Sequence, residues 1–534
     1  MAECKQLARH VKKERPGRRQ CFPAQIHLSF PSRQVIDELI QLYFTTWESC
    51  YRILHFPSFH AEYQSYIDQP ENANGSFALV LVLLMSVAGV LHSDANVCRE
   101  IAAKTPTWIH ISQTWLSAPL EKDRLTLKGI QIHCLLLLAR QVNRVGADLI
   151  WISTGSLLRM AMQMGLHQDP SSLGNMDLRQ MEVRRRLWYA ILEMNAQAAL
   201  DSGMSPMITD RDYNTQPPSD LSDADLEEDE EGKGHWEKTT SAHAIRASFH
   251  GLLAHSIPLR LDAARVINSL QEEPPYDQVL ALGSKLSDTC RQAAMMVDHR
   301  VPMNIPESTN QFAWSFCTHL LRRFLLCLHF TYAVKARQTP IYAHSQKVCL
   351  EIGLEFVSLL DDPLYSRVLI NGGGMFRDII TRGVLMIYLE LNSELETGIS
   401  MFARQRNRAR QMPLLGDVRR VLQYSKDRLC HGETNVKGYF FLCIATAQAE
   451  ALLDGLPTDS AISNAAYESL TACREILKTM ELDHSSNAGH LSLELGGYND
   501  MVSPPMACDS GFDFLEKESF DFNGLGLDFL SSMD

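Results

Sequence analysis

The chain has 534 residues, of which 45% are hydrophobic and 21% are charged, and its formal net charge at pH 7 is −13. This composition is that of an ordinary folded protein and excludes a largely disordered chain. The negative charge excludes a body that binds nucleic acid over a broad surface, because phosphate contact needs concentrated lysine and arginine.

The chain begins with a basic arm, residues 1–30, which we expect to be disordered. Its positive charges cluster at Lys12, Lys13, Arg15, Arg18 and Arg19. The cluster is similar to a nuclear localisation signal, and the alternative interpretation is a solvated charged tail. Such an arm can contact phosphates but has no means of reading bases.

The first predicted helix covers residues 36–44 (IDELIQLYF), and the segment 53–59 (ILHFPSF) follows it. Leu39, Leu42 and Tyr43 recur at the spacing of one helix face. Pro57 interrupts the chain, so we expect the next helix to begin near residue 58.

Hydropathy and cysteine spacing indicate a soluble intracellular protein. The longest uncharged apolar run, residues 77–91, has the length of a core helix and falls short of the roughly 20 residues that span a bilayer, so we expect no membrane partner. The 13 cysteines include no C-x-x-C pair. Some, such as Cys134 and Cys327, lie inside apolar runs, which predicts buried free thiols in a reducing compartment.

A second pair of helices is predicted around residues 155–170 (GSLLRMAMQMGLHQDP) and 182–188 (EVRRRLW). Gly165 suits a left-handed position at the end of the first helix, and His167 and Asp169 can satisfy helix end groups. The three arginines at 184–186 point about 100° apart, so they do not form one basic face. We expect one or two of them to pair with carboxylates or to cap the helix packing, and we expect Trp188 to lie in the core.

Helical periodicity continues along most of the chain, whereas strand signals are nearly absent. The sequence therefore predicts an all-α fold, a multi-helix bundle or array with disordered tails. Breaker-rich segments and charge runs divide it, including eight acidic residues between 220 and 231. The predicted parts are a first helical part at 31–214, an acidic linker at 215–236, a second helical part at 237–483 and a disordered acidic-aromatic tail at 484–534.

The order of these motifs, from about residue 36 to residue 225, resembles the fungal-specific transcription factor domain, or middle homology region, of the zinc-cluster transcription factors. Gln168 stands where arginine is usual in that family. The resemblance implies a nuclear regulator of metabolic genes, often those of a biosynthetic cluster. It also implies that the helical body receives an unidentified small-molecule or protein signal.

The zinc module of that family is not recognisable in this chain. In the family about six cysteines within roughly thirty residues hold two zinc ions, whereas only Cys4 and Cys21 occur near this N-terminus. Either the module has been lost or the sequence is truncated. We expect no cofactor in this chain, and zinc only if a preceding module exists.

Aromatic and acidic residues alternate at the C-terminal end. The apolar positions of this segment are Phe512, Phe514, Leu515, Phe520, Phe522, Phe529 and Leu530. Neighbouring carboxylates keep such a segment solvated until a partner accepts the apolar side chains. We interpret it as an activation segment that binds the transcription machinery, and the alternative is a helix docked on the protein's own body.

Enzyme motifs are incomplete. Residues 361–365 (DDPLY) and the segment beginning Asn499-Asp500 each lack an acidic residue of the magnesium motifs of terpene synthases. His60 and Glu62 are not followed by the P-C-x-x-C of zinc deaminases. The sequence thus predicts a non-enzyme that contacts DNA directly, or a co-regulator without DNA contact that reaches DNA through a partner as a homodimer or heterodimer.

Overall fold

The computed structural model describes residues 29–68, 75–117, 124–219, 221–230, 248–270, 273–298, 307–396 and 401–494. These residues form seventeen α-helices, and the described ranges contain no β-strand. The prediction of an all-α fold is confirmed.

The helices follow one another through turns and short 3-10 segments. In chain order they are α1 Arg33–Thr46, α2 Phe56–Asp68, α3 Gly75–Ala88, α4 Ala95–Ser117, α5 Leu127–Val142, α6 Ile150–Gln163, α7 Leu178–Asp201, α8 Asp223–Glu230, α9 Phe249–Ile267, α10 Tyr276–Asp298, α11 Glu307–Lys335, α12 Ala343–Ser358, α13 Tyr365–Asn371, α14 Met375–Glu396, α15 Met401–Cys430, α16 Lys437–Asp454 and α17 Thr458–Glu494.

The chain divides into two compact units. The first consists of residues 1–198, 206–261 and 300–314, and the second of residues 199–205, 262–299 and 315–534.

Helix α3 forms the centre of the first unit. Every residue from Phe77 to Ala88 is buried, and the helix packs against α1, α4 and α5. Each large apolar side chain buried in this way stabilises the fold by about 1.5–3 kcal/mol. The apolar run 77–91 is therefore a core helix, as predicted, and no helix in the described ranges is long and apolar enough to span a bilayer.

Helices α1 and α2 begin the first unit. The Ser32 side chain caps the N-terminus of α1, and the buried face of that helix includes Leu39 and Tyr43, while Leu42 is only partly buried. Helix α2 begins at Phe56, two residues before the predicted start. Pro57 therefore lies in its first turn, where a missing backbone N–H leaves no helical hydrogen bond unmade.

The turn after α6 has the predicted left-handed glycine. Gly165 has a φ of 77°. Its N–H donates to the Met162 carbonyl at 2.9 Å, and the Leu166 N–H donates to the Ala161 carbonyl at 3.0 Å. These two bonds are the pair that closes a helix with a Schellman motif.

In the second unit, α12 and α14 approach each other at two glycines. A Cβ atom added to Gly353 would lie 2.6 Å from the backbone oxygen of Gly383. No side chain fits at such a distance, so these glycines permit the close contact between the two helices.

The cysteines in the described ranges are all free. Cys134 is buried, as predicted, whereas Cys327 is only partly buried and its sulfur accepts a hydrogen bond from Arg382. Burial raises the pKa of Cys50 to about 12, which favours its protonated, unreactive form.

Candidate functional site

A pocket of about 710 Å³ lies in the first unit between α1, α2 and the segment that joins them. Its volume is within the range of small-molecule sites. The lining residues are Arg33, Asp37, Ile40, Gln41, Phe44, Thr45, Glu48, Ser49, Arg52, Leu54, Phe56, His60, Tyr63, Gln64, Ser222 and Asp223.

Aromatic rings form one wall of the pocket. The ring of Phe44 on α1 lies edge-on to the ring of Phe56 on α2, with their centroids 4.9 Å apart. The His60 ring lies 5.7 Å from that of Phe56. Phe56 is 43% exposed, which is unusual for a ring of this size and leaves an apolar surface for a ligand to cover.

Glu48 is the most deeply buried carboxylate of the pocket lining, with 6% of its surface exposed. Its Oε1 accepts hydrogen bonds from the Tyr43 hydroxyl at 2.8 Å and from the Leu54 N–H at 2.9 Å. Its Oε2 is buried and accepts no hydrogen bond from the residues that the structure describes. Burial raises the pKa of Glu48 to about 7, although the two hydrogen bonds and the Arg52 charge act in the opposite direction.

Arg52 and Asp223 form an ion pair at the edge of the pocket. The φ of Arg52 is 51°, a left-handed conformation that is rare for a residue other than glycine. Its Nη2 lies 2.7 Å from Oδ1 of Asp223, and the Phe56 N–H donates to Oδ2 of the same carboxylate at 2.9 Å. The strained backbone at Arg52 therefore accompanies a specific charge contact.

Arg186 connects this ion pair to the arginine motif of α7. Its Nη1 lies 2.6 Å from Oδ1 of Asp223, and its Nε donates to Glu182 at 3.1 Å. Arg186 is buried, with 2% of its surface exposed. Burial acts to raise the pKa of Asp223, but the charge of Arg52, the Phe56 N–H and the charge of Arg186 together hold it below its usual value.

Arg185 is paired in the same motif. Its Nη2 and Nε lie 2.9 and 3.0 Å from the two carboxylate oxygens of Asp169. Asp169 also accepts from the N–H groups of Ser171 and Gln216. Burial acts to raise the pKa of Asp169, but these donors hold it well below its usual range. The expected pairing with carboxylates is confirmed for Arg185 and Arg186, and Trp188 is fully buried in the core, as predicted.

His167 was predicted to satisfy helix end groups, and Asp362 belongs to the incomplete magnesium motif. Nδ1 of His167 is buried and has no partner within the described ranges, so this ring nitrogen does not cap a helix. Asp362 accepts hydrogen bonds from the N–H groups of Leu364 and Tyr365, both at 2.9 Å. It is a helix cap, since both donors belong to the start of α13.

The predicted residues of the basic arm and of the activation segment lie outside the described ranges, as do the terminal residues of the incomplete zinc and magnesium motifs. They are Cys4, Lys12, Lys13, Arg15, Arg18, Arg19, Cys21, Asn499, Asp500, Phe512, Phe514, Leu515, Phe520, Phe522, Phe529 and Leu530. The basic arm and the activation segment therefore stay predictions. Within the described ranges, no group of three or more histidine, cysteine or acidic side chains is arranged to hold a metal ion.

The family comparison covers the pocket and the arginine motif. Residues 40–286 match the family described as the fungal specific transcription factor domain. The chain is therefore similar to that family over nearly half of its length. The predicted resemblance is thus confirmed, and the domain includes Glu48, Arg52, Arg186 and Asp223.

Proteins similar to this chain beyond the domain are also known. Transcription factor asR3 of Sarocladium schorii is 30% identical over 90% of this chain and 61% of its own length. Transcription factor lepE of Aspergillus flavus is 32% identical over 89% of this chain and 59% of its own length. The aspyridones cluster regulator apdR of Emericella nidulans is 26% identical over 79% of this chain and 58% of its own length.

The chain spans about six tenths of the length of these curated relatives. No solved structure matches it.

Proposed function

We propose that this protein is a nuclear transcription regulator of a fungal biosynthetic gene cluster and has no catalytic activity. The observation that carries the proposal is its similarity to two transcription factors, asR3 and lepE, over about nine tenths of the chain. The name of apdR, a cluster regulator, supports control of a biosynthetic cluster. The names of these relatives describe transcription factors and not enzymes.

The helical domain serves as the regulatory part of the protein and receives a small-molecule effector. The 710 Å³ pocket supports this role, because its volume suits a small organic ligand. The ion pairs of Asp223 with Arg52 and with the buried Arg186 connect the pocket to α7. They give a bound ligand a route to the rest of the domain. Ligand binding in the pocket is coupled to α7 through these ion pairs.

The protein reaches DNA directly or through a partner, which includes a second copy of the chain or an intact relative. Arg185 and Arg186 bind carboxylates, and charges used in this way are not available to phosphates. The pairing of these two arginines with carboxylates favours DNA contact through other segments of the chain or through a partner.

Chromatin immunoprecipitation of the tagged full chain in its own fungus tests the proposal. We expect enrichment at the promoters of one biosynthetic cluster, and absence of enrichment at any promoter would contradict it. Retention of the enriched DNA by the pure protein would support direct contact. Retention only after addition of nuclear extract would support the co-regulator alternative.

A variant of the basic arm is a useful comparison. Replacing the five clustered basic residues of the arm with glutamine removes the charge that a nuclear import receptor would bind. The variant should lose nuclear accumulation of a fluorescent fusion, and unchanged accumulation would exclude the arm as the import signal. The positions are Lys12, Lys13, Arg15, Arg18 and Arg19.

The C-terminal segment acts as the activator. Residues 484–534 fused to an unrelated DNA-binding module should activate a reporter, and replacement of Phe514 and Phe522 by alanine should abolish activation because a partner groove then loses its aromatic anchors. A matched variant, Ser531→Ala with Ser532→Ala, should stay active. A silent wild-type fusion would remove the activator role.

A further inference from the structure

The carboxylate of Glu48 is only half satisfied. Its Oε1 has two donors, Tyr43 and Leu54, whereas its buried Oε2 has none among the described residues. A buried acceptor without a donor is unfavourable, and the penalty is larger when the acceptor is charged. Glu48 also lines the pocket, so a molecule bound there lies next to this side chain.

The remaining pocket lining limits the chemistry of that molecule. Phe44 and Phe56 offer aromatic surface against which a planar apolar body can pack. The charged side chains of the lining are two arginines and three carboxylates, with a balance of one negative charge when all are ionised. They are Arg33, Arg52, Asp37, Glu48 and Asp223. This balance disfavours an anionic ligand.

The three carboxylates of the lining differ in how many hydrogen-bond donors they have. Asp37 accepts a hydrogen bond from the Tyr63 hydroxyl at 2.6 Å, and Asp223 is held by Arg52, Arg186 and the Phe56 N–H. Both carboxylates therefore already have strong donors. Among the lining carboxylates, Glu48 is the one with a buried oxygen that has no hydrogen-bond donor among the described residues.

We propose that this pocket binds an uncharged aromatic molecule through a hydrogen bond from its hydroxyl or N–H group to Oε2 of Glu48. The inference rests on the proposed regulatory role of the domain and names the chemical class of its effector. The aromatic body packs against Phe44 and Phe56, and the donor reaches the buried carboxylate. A molecule of the same shape without a donor leaves Glu48 unsatisfied and binds less well.

Binding of three biphenyl probes to the purified full chain tests the inference by isothermal titration calorimetry at pH 7.5. The probes are 4-phenylphenol, which has a donor, 4-methoxybiphenyl, which has none, and biphenyl-4-carboxylate, which is an anion. We expect the phenol to bind about tenfold or more tightly than the methoxy compound, as is typical of a hydrogen bond to a charged group. The carboxylate should bind most weakly.

The variant Glu48→Gln sharpens the test. Its amide oxygen can keep the bonds from Tyr43 and Leu54, which places the amide NH₂ where Oε2 was. The preference for the phenol over the methoxy compound should then fall to about threefold or less, because a donor now faces the ligand. Glu100→Gln is the matched control, since Glu100 is an exposed partner of Lys104 on α4, and it should keep the wild-type preference.

Phe44→Ala should weaken the phenol and the methoxy compound by similar factors, because both share the aromatic body. Equal affinities of these two probes for the wild-type chain, no binding of either at 1 mM, or an unchanged preference in folded Glu48→Gln would each overturn the inference. If Glu48→Gln fails to fold, the wild-type comparison of the probes still decides. The assay contains no DNA, so a failure here leaves the transcriptional role standing, and a failure of that role leaves the measured binding standing.

Discussion

Two arginines approach the same oxygen of Asp223. Arg52 lies 2.7 Å and Arg186 lies 2.6 Å from Oδ1. Asp223→Asn removes the negative charge that holds these guanidinium groups together, and its amide nitrogen would face the Phe56 N–H. We expect the free energy of unfolding to fall by about 3 kcal/mol, because the buried guanidinium of Arg186 then loses a compensating negative charge. Urea denaturation measures this change.

Asp262→Asn is the matched control for that variant. Asp262 also pairs with an arginine, Arg265, but 63% of its side chain is exposed. Exposed pairs contribute about 0–1 kcal/mol, so this variant should stay close to the wild type. Equal effects of the two substitutions would contradict a structural role for the Asp223 network.

Glu48 makes stability depend on pH near neutrality. Burial raises its pKa in the folded protein to about 7, above the value of about 4.5 expected in the unfolded chain. The folded state therefore holds the proton more tightly, and stability falls as the pH rises from about 5 through 7. The glutamine of Glu48→Gln does not titrate. The melting temperature of the variant minus that of the wild type should therefore increase between pH 5.5 and 8. A constant difference across this range would contradict the raised pKa.

Contacts between residues that are near in sequence were partly predictable, whereas contacts between residues far apart in sequence were not. Pairing of the arginine motif with carboxylates was predicted, but Asp169, the partner of Arg185, was expected to satisfy helix end groups. Arg52 and Asp223 are 171 positions apart, and Asp223 lies in an acidic run that looks like a solvated segment. Glu48 follows Trp47 without any feature that distinguishes it from a surface carboxylate, since its burial arises from tertiary packing.

At the scale of the helices, the glycine contact between α12 and α14 gives a direct test. Gly353→Ala would place a Cβ atom 2.6 Å from the Gly383 oxygen, so the two helices must separate. We expect the free energy of unfolding to fall by about 1–3 kcal/mol. Thermal unfolding followed by circular dichroism measures it.

Gly416→Ala is the opposite control. Gly416 lies inside α15, and a Cβ atom there meets nothing within 4 Å. Alanine is the better helix former, so this variant should gain about 0.5–1 kcal/mol. If Gly353→Ala were also neutral or stabilising, the close approach of α12 and α14 would be wrong.

The helices themselves were predictable because their apolar residues recur at helical spacing and few strand formers are grouped. Helix α3 is apolar on every side, so hydrophobicity did not show whether it is a core helix or a membrane-spanning helix. Its short length indicated a core helix. The start of α2 was placed two residues late, because Pro57 marks the first turn of a helix as readily as the break before it. The contact of Gly353 with Gly383 depends on tertiary packing and had no sequence signal.

For the molecule as a whole, the order of motifs identified the domain better than any single motif. The match over residues 40–286 extends beyond the predicted end of the resemblance near residue 225, where charged and breaker-rich sequence obscured it. The predicted boundaries at residues 214, 236 and 483 stay predictions, as do the roles of the two terminal segments. Composition indicated only an ordinary folded protein, whereas the order of motifs, through the family resemblance, pointed to the control of metabolic genes.

We propose that this protein regulates transcription of a biosynthetic gene cluster. The most direct measurement is the abundance of all transcripts in its fungus before and after deletion of its gene, with the full-length gene restored as a control. We predict that the transcripts of one contiguous set of biosynthetic genes fall at least about tenfold on deletion and recover on restoration. Unchanged transcripts for every such set, under conditions in which the protein is produced, would contradict the account.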